Sequence, residues 1–259
     1  MKKSIVCLTR GYQDYRLYNK LVYRNRHIEH YLEDKETPIL IFHEGNIHHQ
    51  DEIKKETPTL KIVFVDVKKD GFAFNTEREK VDVDRNTSMF DMGYRHMCSF
   101  WFVDFWKFVE EYDVILRIDE DCYINFKPDK VFESLQQSSI ISGLYEKDDA
   151  FVTKGMNDHT RNFISETNKI NIDTVDTKLP GGPYTNIVGF NLAHLRTIPL
   201  LHEYIESIKV SKKIYQQRWG DLPLWGEAIH YVLGDSSLSI DKSIQYFHGS
   251  HSMHVNKLV

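Results

Sequence analysis

The chain alternates between short, continuous apolar runs and longer segments whose apolar residues recur at helical spacing. Ser4–Thr9, Pro38–His43 and Leu60–Val67 are the first three runs, rich in branched residues and bounded by polar positions. Runs of that length, apolar at successive positions, are the pattern of strands buried on both faces. Tyr15–Glu33 instead places Leu17, Leu21, Ile28 and Leu32 near helical spacing. Ser88–Tyr112 is predicted as one aromatic helix, with Phe90, Tyr94, Met97, Phe100, Trp101, Phe105 and Phe108 mostly in the core. A fourth run, Val114–Ile118, follows it; Ile140–Tyr145 and Asn186–Asn191 are further strands, and Leu200–Val210 and Leu224–Val232 are helices. Strands alternating with helices predict an α/β protein with a mostly parallel, doubly wound sheet. Residues 68–87 read as a charged surface loop, residues 148–178 are polar without a clear period, and Leu179–Pro183 reads as a turn.

Composition narrows the class. A length of 259 residues allows one large domain with a sizeable core, and no internal repeat or linker divides it. A net charge of −5, with Lys and Arg scattered among acids, gives no basic field for nucleic acid. Cys7, Cys98 and Cys122 have no zinc-like spacing and read as reduced, buried thiols in a cytosol-like compartment. The apolar stretch after Lys2 and Lys3 is too short for a signal peptide, and no segment approaches the ~20 apolar residues of a membrane span. A soluble, cytoplasmic protein is expected.

The chemistry concentrates where Val114–Ile118 ends. Asp119 and Asp121 stand one residue apart directly after it. Ligands of open α/β sheets gather beyond the carboxyl ends of the strands. In an extended segment residues i and i+2 point the same way, so both carboxylates would reach one divalent cation. A cation held there neutralises a diphosphate, which is the D-x-D arrangement of nucleotide-sugar glycosyltransferases. Such triplets also arise by chance in surface turns; the apolar strand before this one and Tyr123 after it favour the metal site.

Other segments add candidates. Arg10 follows the first strand, where it meets a nucleotide or phosphate or simply sits in a turn. The chain lacks G-x-G-x-x-G and the P-loop pattern, against a dinucleotide oxidoreductase or a P-loop kinase. In Arg218–Pro223, Trp219 suits a wall for a sugar face and Asp221 a contact to a hydroxyl, although Asp221 also stands where it would cap a helix. Glu227 is a second carboxylate for that task. Near the C-terminus, His248 follows Ile244, Tyr246 and Phe247 and would complete a Mn²⁺ or Mg²⁺ shell with the carboxylates; His251 and His254 read as bystanders.

Together these segments resemble the fungal α-1,2-mannosyltransferases of glycosyltransferase family 15. Tyr94–Trp101 is similar to the family's Y-R-x-M-C-R-F, Arg117–Asp121 to its R-V-E-P-D, and Ile141–Glu146 to a strand ending S-L-Y-E. Arg218–Pro223 is similar to R-W-G-D-A-P, and Tyr246–His248 falls where the family has its metal-binding histidine. The resemblance implies a GT-A fold, a Rossmann-like central sheet flanked by helices. It implies one catalytic domain over residues 1–259, with a nucleotide-sugar half (1–125) and an acceptor half (126–259). A metal-dependent transferase follows, with Mn²⁺ or Mg²⁺, a nucleotide-sugar donor (GDP-mannose first) and a glycan or glycoconjugate acceptor. By position it assigns Asp119, Asp121 and His248 to the metal and Tyr94 and Arg95 to the donor, joined there by Arg10, Asp119 and Asn186. Arg218, Trp219 and Asp221 would contact substrate.

The departures shape the mechanism. Val188 stands where the family has a glutamate proposed as nucleophile, so no covalent glycosyl-enzyme forms at that position. Ser99 replaces an arginine and Asn191 an acid, and the family's Golgi anchor and stem have no counterpart, as in a soluble bacterial or virus-encoded relative. If the reaction inverts, Asp221 is the first choice as general base and Glu227 the second. If it retains, a front-face route remains in which the departing phosphate takes the acceptor proton. Two competing classes are a decayed GT-A module that only binds carbohydrate and a D-x-D phosphohydrolase. The intact metal residues oppose the first, and Thr9–Gly11, where the second would carry its acids, opposes that one.

Overall fold

The computed structural model of the chain describes residues 1–68, 80–168 and 181–257. Its strands begin with β1 Lys3–Leu8, β2 Ile39–His43, β3 Ile62–Asp66, β4 Val114–Ile118, β5 Cys122–Ile124 and β6 Ile140–Ser142. β7 Tyr145–Lys147, β8 Gly181–Pro183, β9 Ile187–Asn191, β10 Leu238–Ile240, β11 Tyr246–His248 and β12 Met253–Val255 follow. Seven of them form one sheet in the order β10-β6-β9-β4-β1-β2-β3. Its pairs are parallel except those of β9, which runs antiparallel to both β4 and β6. The expected α/β architecture with a mostly parallel central sheet is therefore present.

β2 and β4 are buried at every position, which is why they read as apolar runs, broken in β4 only by Arg117. Successive residues feed opposite cores: Val6 and Ile115 join the aromatic cluster of Phe100–Phe105, while Ile5, Cys7, Val114 and Leu116 pack with helix Asn19–Tyr31. All three cysteines are buried and free. Among the described residues no helix is long and apolar enough to cross a membrane.

Several elements differ from the sequence pattern. The single helix expected over Ser88–Tyr112 is an α-helix at Met92–Ser99, a π turn at Phe100–Asp104 and a 3₁₀ turn at Phe105–Phe108. Phe100, Trp101 and Phe102 are consecutive and all buried, more than one face of a regular α-helix can hide, and the wider turn accommodates them. Within 148–178 lies a helix, Met156–Asn168, whose inward positions Met156, Thr160 and Ile164 are diluted by a threonine that bonds the Tyr204 hydroxyl. Gly181–Pro183 is no turn but a strand, paired with β7. Residues 69–79 of the expected loop, residues 169–180, and with them Leu179 and Pro180, lie outside the described residues.

β8 needs its glycines because helix Asp221–Ala228 lies directly against it. A Cβ on Gly226 would stand 1.4 Å from the Gly181 carbonyl oxygen, and one on Gly182 would stand 2.0 Å from that of Leu222. Gly226→Ala must push the helix off the strand. A loss at or above the top of the roughly 1–3 kcal/mol range of overpacking is expected, read from the denaturant midpoint.

Candidate active site

Antiparallel β9 brings its start beside the end of β4. Ile118 pairs with Ile187, and the Asp119 N–H donates to the Asn186 carbonyl at 2.9 Å. The chain then turns into β5, where Cys122 pairs with His248 of β11. These pairings gather Asp121, Asn186 and His248 at the carboxyl ends of β1 and β4, where open α/β sheets bind ligands. A cleft of about 840 Å³ opens there, lined by Arg10, Tyr94, Asp119, Asp121, Asn186, Arg218, Asp221 and His248 among others.

Asp121 and His248 face each other, with His248 Nε2 3.5 Å from Asp121 Oδ2. Burial alone would push the Asp121 carboxyl up, but hydrogen bonds from His248 and the Ser250 N–H hold it well below the usual carboxylate range. Asn186 Nδ2 lies 3.0 Å from His248 Nδ1, and its Oδ1 accepts from the Tyr246 hydroxyl at 2.6 Å, so the imidazole is held from behind. One ligand atom each from Asp121, Cys122 and His248 lies within 4.8 Å of the others. Burial raises the Cys122 thiol well above its ordinary value, which leaves it a neutral neighbour. A buried ionised carboxylate beside an imidazole is a donor set that fits Mn²⁺ or Mg²⁺, with the remaining positions left to other oxygens.

Asp119 stands apart from this group. The expectation that 119–121 is extended fails: the Cys122 N–H bonds the Asp119 carbonyl at 3.1 Å and closes a turn. Arg117 takes both Asp119 oxygens, through Nε at 2.7 Å and Nη2 at 2.9 Å, and donates from Nη1 to Asp221 at 2.6 Å. Its side chain is 3% exposed and packs over the Trp101 ring, 4.4 Å from the centroid. Burial works against this cation, but Asp119 and Asp221 outweigh it and hold the guanidinium charged. Asp221 therefore does not cap its helix, whose N-cap is Gly220.

Arg218 has a left-handed backbone, φ 61°, and lies in the cleft. It donates to Asp148 and to the Tyr94 hydroxyl, each at 2.6 Å, and packs over the rings of Phe90 and Tyr94. The adjoining Trp219 goes to the core instead, 1% exposed, its Nε1 donating to the Lys154 carbonyl at 3.1 Å; it forms no wall of the cleft. Arg95 is also absent from the lining, because its guanidinium is used by the carbonyls of Thr87, Phe90 and Tyr215. Glu227 lies away from the cleft, beside Asn157 and Thr160, where burial pushes its carboxyl up to about 7 against the hydrogen bonds. His251 proves to line the cleft, its Nδ1 3.1 Å from His248 Nδ1, whereas His254 packs on Phe247.

The fold compares closely with solved glycosyltransferases. The mannosyltransferase Ktr4p from S. cerevisiae matches with a TM-score of 0.77 and 18% identity, over 95% of this chain and 70% of that one. Core-mannan synthase A (CmsA/Ktr4) from Aspergillus fumigatus, in a Mn/GDP form, matches with 0.77 and 14%, over 96% and 74%. This chain has the GT-A fold of the fungal family 15 mannosyltransferases. Mouse xyloside xylosyltransferase 1 shares it more loosely, with a TM-score of 0.55 and 14% identity over 92% of this chain and 84% of that one. No protein-family model and no curated protein sequence matches.

In this GT-A cleft the sequence pattern missed Arg117, Asp148 and Glu120, whose carboxylate accepts from the Thr9 hydroxyl. Arg117 did leave a signal, a charge inside a buried apolar strand that must have partners. Asp148 left none, since its partner Arg218 lies 70 residues away.

Arg117→Met should leave Asp119 and Asp221 facing each other without a cation, at a cost of roughly 3–5 kcal/mol in urea unfolding. Adding Asp119→Asn and Asp221→Asn should recover most of it; no recovery would place the loss in packing against Trp101. Glu227 carries a pH signature. Its folded pKa of about 7 exceeds the ordinary 4.5, so it favours folding when protonated, and that contribution is lost as pH rises through this window. Glu227→Gln should therefore melt with wild type at pH 4 and above it at pH 8.

Proposed function

We propose that this protein is a metal-dependent glycosyltransferase that moves a sugar, mannose first, from a nucleoside-diphosphate donor to a carbohydrate hydroxyl. The observation that carries this reading is the buried Asp121–His248 pair at the strand ends of a GT-A cleft. The cleft's charge supports it. Among the described residues, eight carboxylates line the cleft (Glu44, Asp91, Asp119, Glu120, Asp121, Glu146, Asp148, Asp221) against four cations (Arg10, Arg117, Lys147, Arg218). A diphosphate entering such a cleft is repelled unless a cation comes with it.

Asp121 and His248 would hold Mn²⁺ or Mg²⁺. The bound ion supplies positive charge to the leaving diphosphate. Arg10, which follows β1 and lines the cleft, would meet the donor phosphates, and Tyr94 with Arg218 would pack against the nucleotide sugar. GDP is the favoured nucleotide because the similarly folded Ktr4p and core-mannan synthase A have been solved with it.

Asp221 is taken by the buried Arg117 guanidinium at 2.6 Å, and Glu227 does not line the cleft. Val188 is fully buried and offers no nucleophile. We therefore favour retention by front-face attack: the bond from the anomeric carbon to the phosphate oxygen breaks as the acceptor oxygen bonds the same face, and the acceptor proton passes to the departing phosphate. Positioning of the two substrates then carries most of the rate.

Calorimetric titration with GDP, UDP and dTDP, with and without Mn²⁺, tests the reading. GDP should bind only with the metal, and Asp121→Ala and His248→Ala should abolish that binding. With GDP-mannose the product should keep the donor's anomeric configuration by NMR. Absence of metal-dependent binding to every nucleotide would leave the non-catalytic carbohydrate-binding module.

A further inference from the structure

We infer that the outer face of the small β5-β11-β12 sheet is a second carbohydrate site, a strip of aromatic rings that takes the glycan chain extending from the acceptor sugar. The pleat of this sheet sorts its side chains. Cys122, Ile124, Tyr246, His248 and Val255 are buried against the core. Tyr123, Phe247 and His254 lie on the other face, directly opposite one another in register. The Tyr123 and Phe247 rings lie 6.0 Å apart with planes within 15°, and His254 follows at 4.9 Å. Helix Asn19–Tyr31 lengthens the strip, with His27 5.7 Å and Tyr23 5.6 Å from Tyr123. Tyr23 is 55% exposed and His254 is exposed as well.

The strip is continuous with the cleft. A Cβ on Gly249 would stand 3.1 Å from the Tyr123 hydroxyl and 3.2 Å from the Asp121 carbonyl oxygen, so the ring meets the turn that carries His248, Ser250 and His251 into the cleft. At the same turn, Lys20 Nζ donates to Ser250 Oγ at 3.2 Å. The chemistry of the rings selects the occupant. A pyranose presents a C–H face, which packs on the electron-rich face of an aromatic ring, and a rim of hydroxyls that need partners. Four of the five side chains here carry a polar edge atom, a tyrosine hydroxyl or an imidazole nitrogen. An apolar helix or an acyl chain would cover those atoms without satisfying them, at a desolvation cost; a saccharide satisfies them. Rings spaced by about one sugar unit on a single face suit a chain rather than one residue.

The direction of the chain rests on the transferase reading; the binding itself does not. The test uses Tyr23→Ala/His254→Ala, two exposed positions that do not line the cleft, with thermal unfolding to confirm the fold. Mannose and neutral mannose oligosaccharides of increasing length are titrated into wild type and variant by calorimetry and amide NMR, without nucleotide, and GDP–Mn²⁺ binding is measured in parallel. Wild-type affinity should rise with length, with shifts at Tyr23, His27, Tyr123 and His254. The variant should lose about tenfold for the longest chain and keep wild-type GDP–Mn²⁺ affinity. Affinity independent of length in wild type, or a variant that binds the longest chain as wild type does, would overturn the strip. Oligosaccharide binding without any GDP–Mn²⁺ binding would remove the transferase reading and leave the strip standing.

Discussion

Arg117 is a cation almost closed off from water, and the shape of the cleft depends on keeping it paired. A guanidinium inside an apolar strand is tolerable only when its donors meet carboxylates in good geometry. Asp119 meets two of them from the same strand end, and Asp221 meets a third from 104 residues further along the chain. That pair ties the start of helix Asp221–Ala228 to the end of β4. The helix in turn can approach only because Gly182 and Gly226 leave room. Ion pair and glycine contact thus fix one wall together, and Arg218, just before that helix, inherits its position from them.

Other arginines work in the same way. Arg24 donates to the Ile118 carbonyl at 2.8 Å beneath the end of β4, Arg95 ties Thr87 to Tyr215, and Arg218 joins Asp148 to Tyr94. Planar guanidinium groups with several fixed donors suit this bracing better than lysine would. The positive charge of the region is thereby largely committed to structure, while the carboxylates dominate the lining. An acidic cleft for an anionic donor makes physical sense once a divalent cation is one of its components.

The strand pattern was legible because burial on both faces of a parallel sheet leaves a local trace, a largely apolar run, which β2 shows plainly and β4 shows around Arg117. The chemistry at strand ends was legible for the same reason: Arg10 and Asp121 directly follow such runs and line the cleft. Tyr94 was reached through motif order, Arg218 through the composition of its block, and His248 through the apolar stretch before it, with motif order supporting both. Residues one step from these, Arg95 and Trp219, could not be sorted in advance. They share the neighbourhood of cleft residues, but helix phase at Arg95 and a left-handed backbone at Arg218 leave them out of the cleft lining. The helix at Met156–Asn168 was hidden because its inward face includes a hydrogen-bonded threonine.

By itself the sequence determined the alternation of strands and helices, the sheet they form and the place where acids follow a strand, since each is set by neighbours within a few positions. Tertiary structure alone decided which acids serve which cation. At the turn Asp119–Cys122, Arg117 takes one carboxylate, and His248, delivered by the pairing of β11 with β5, meets the other. Partners so far apart in sequence leave no local trace, because what joins them is the demand of buried charge for a counter-charge, met wherever the fold brings one within reach.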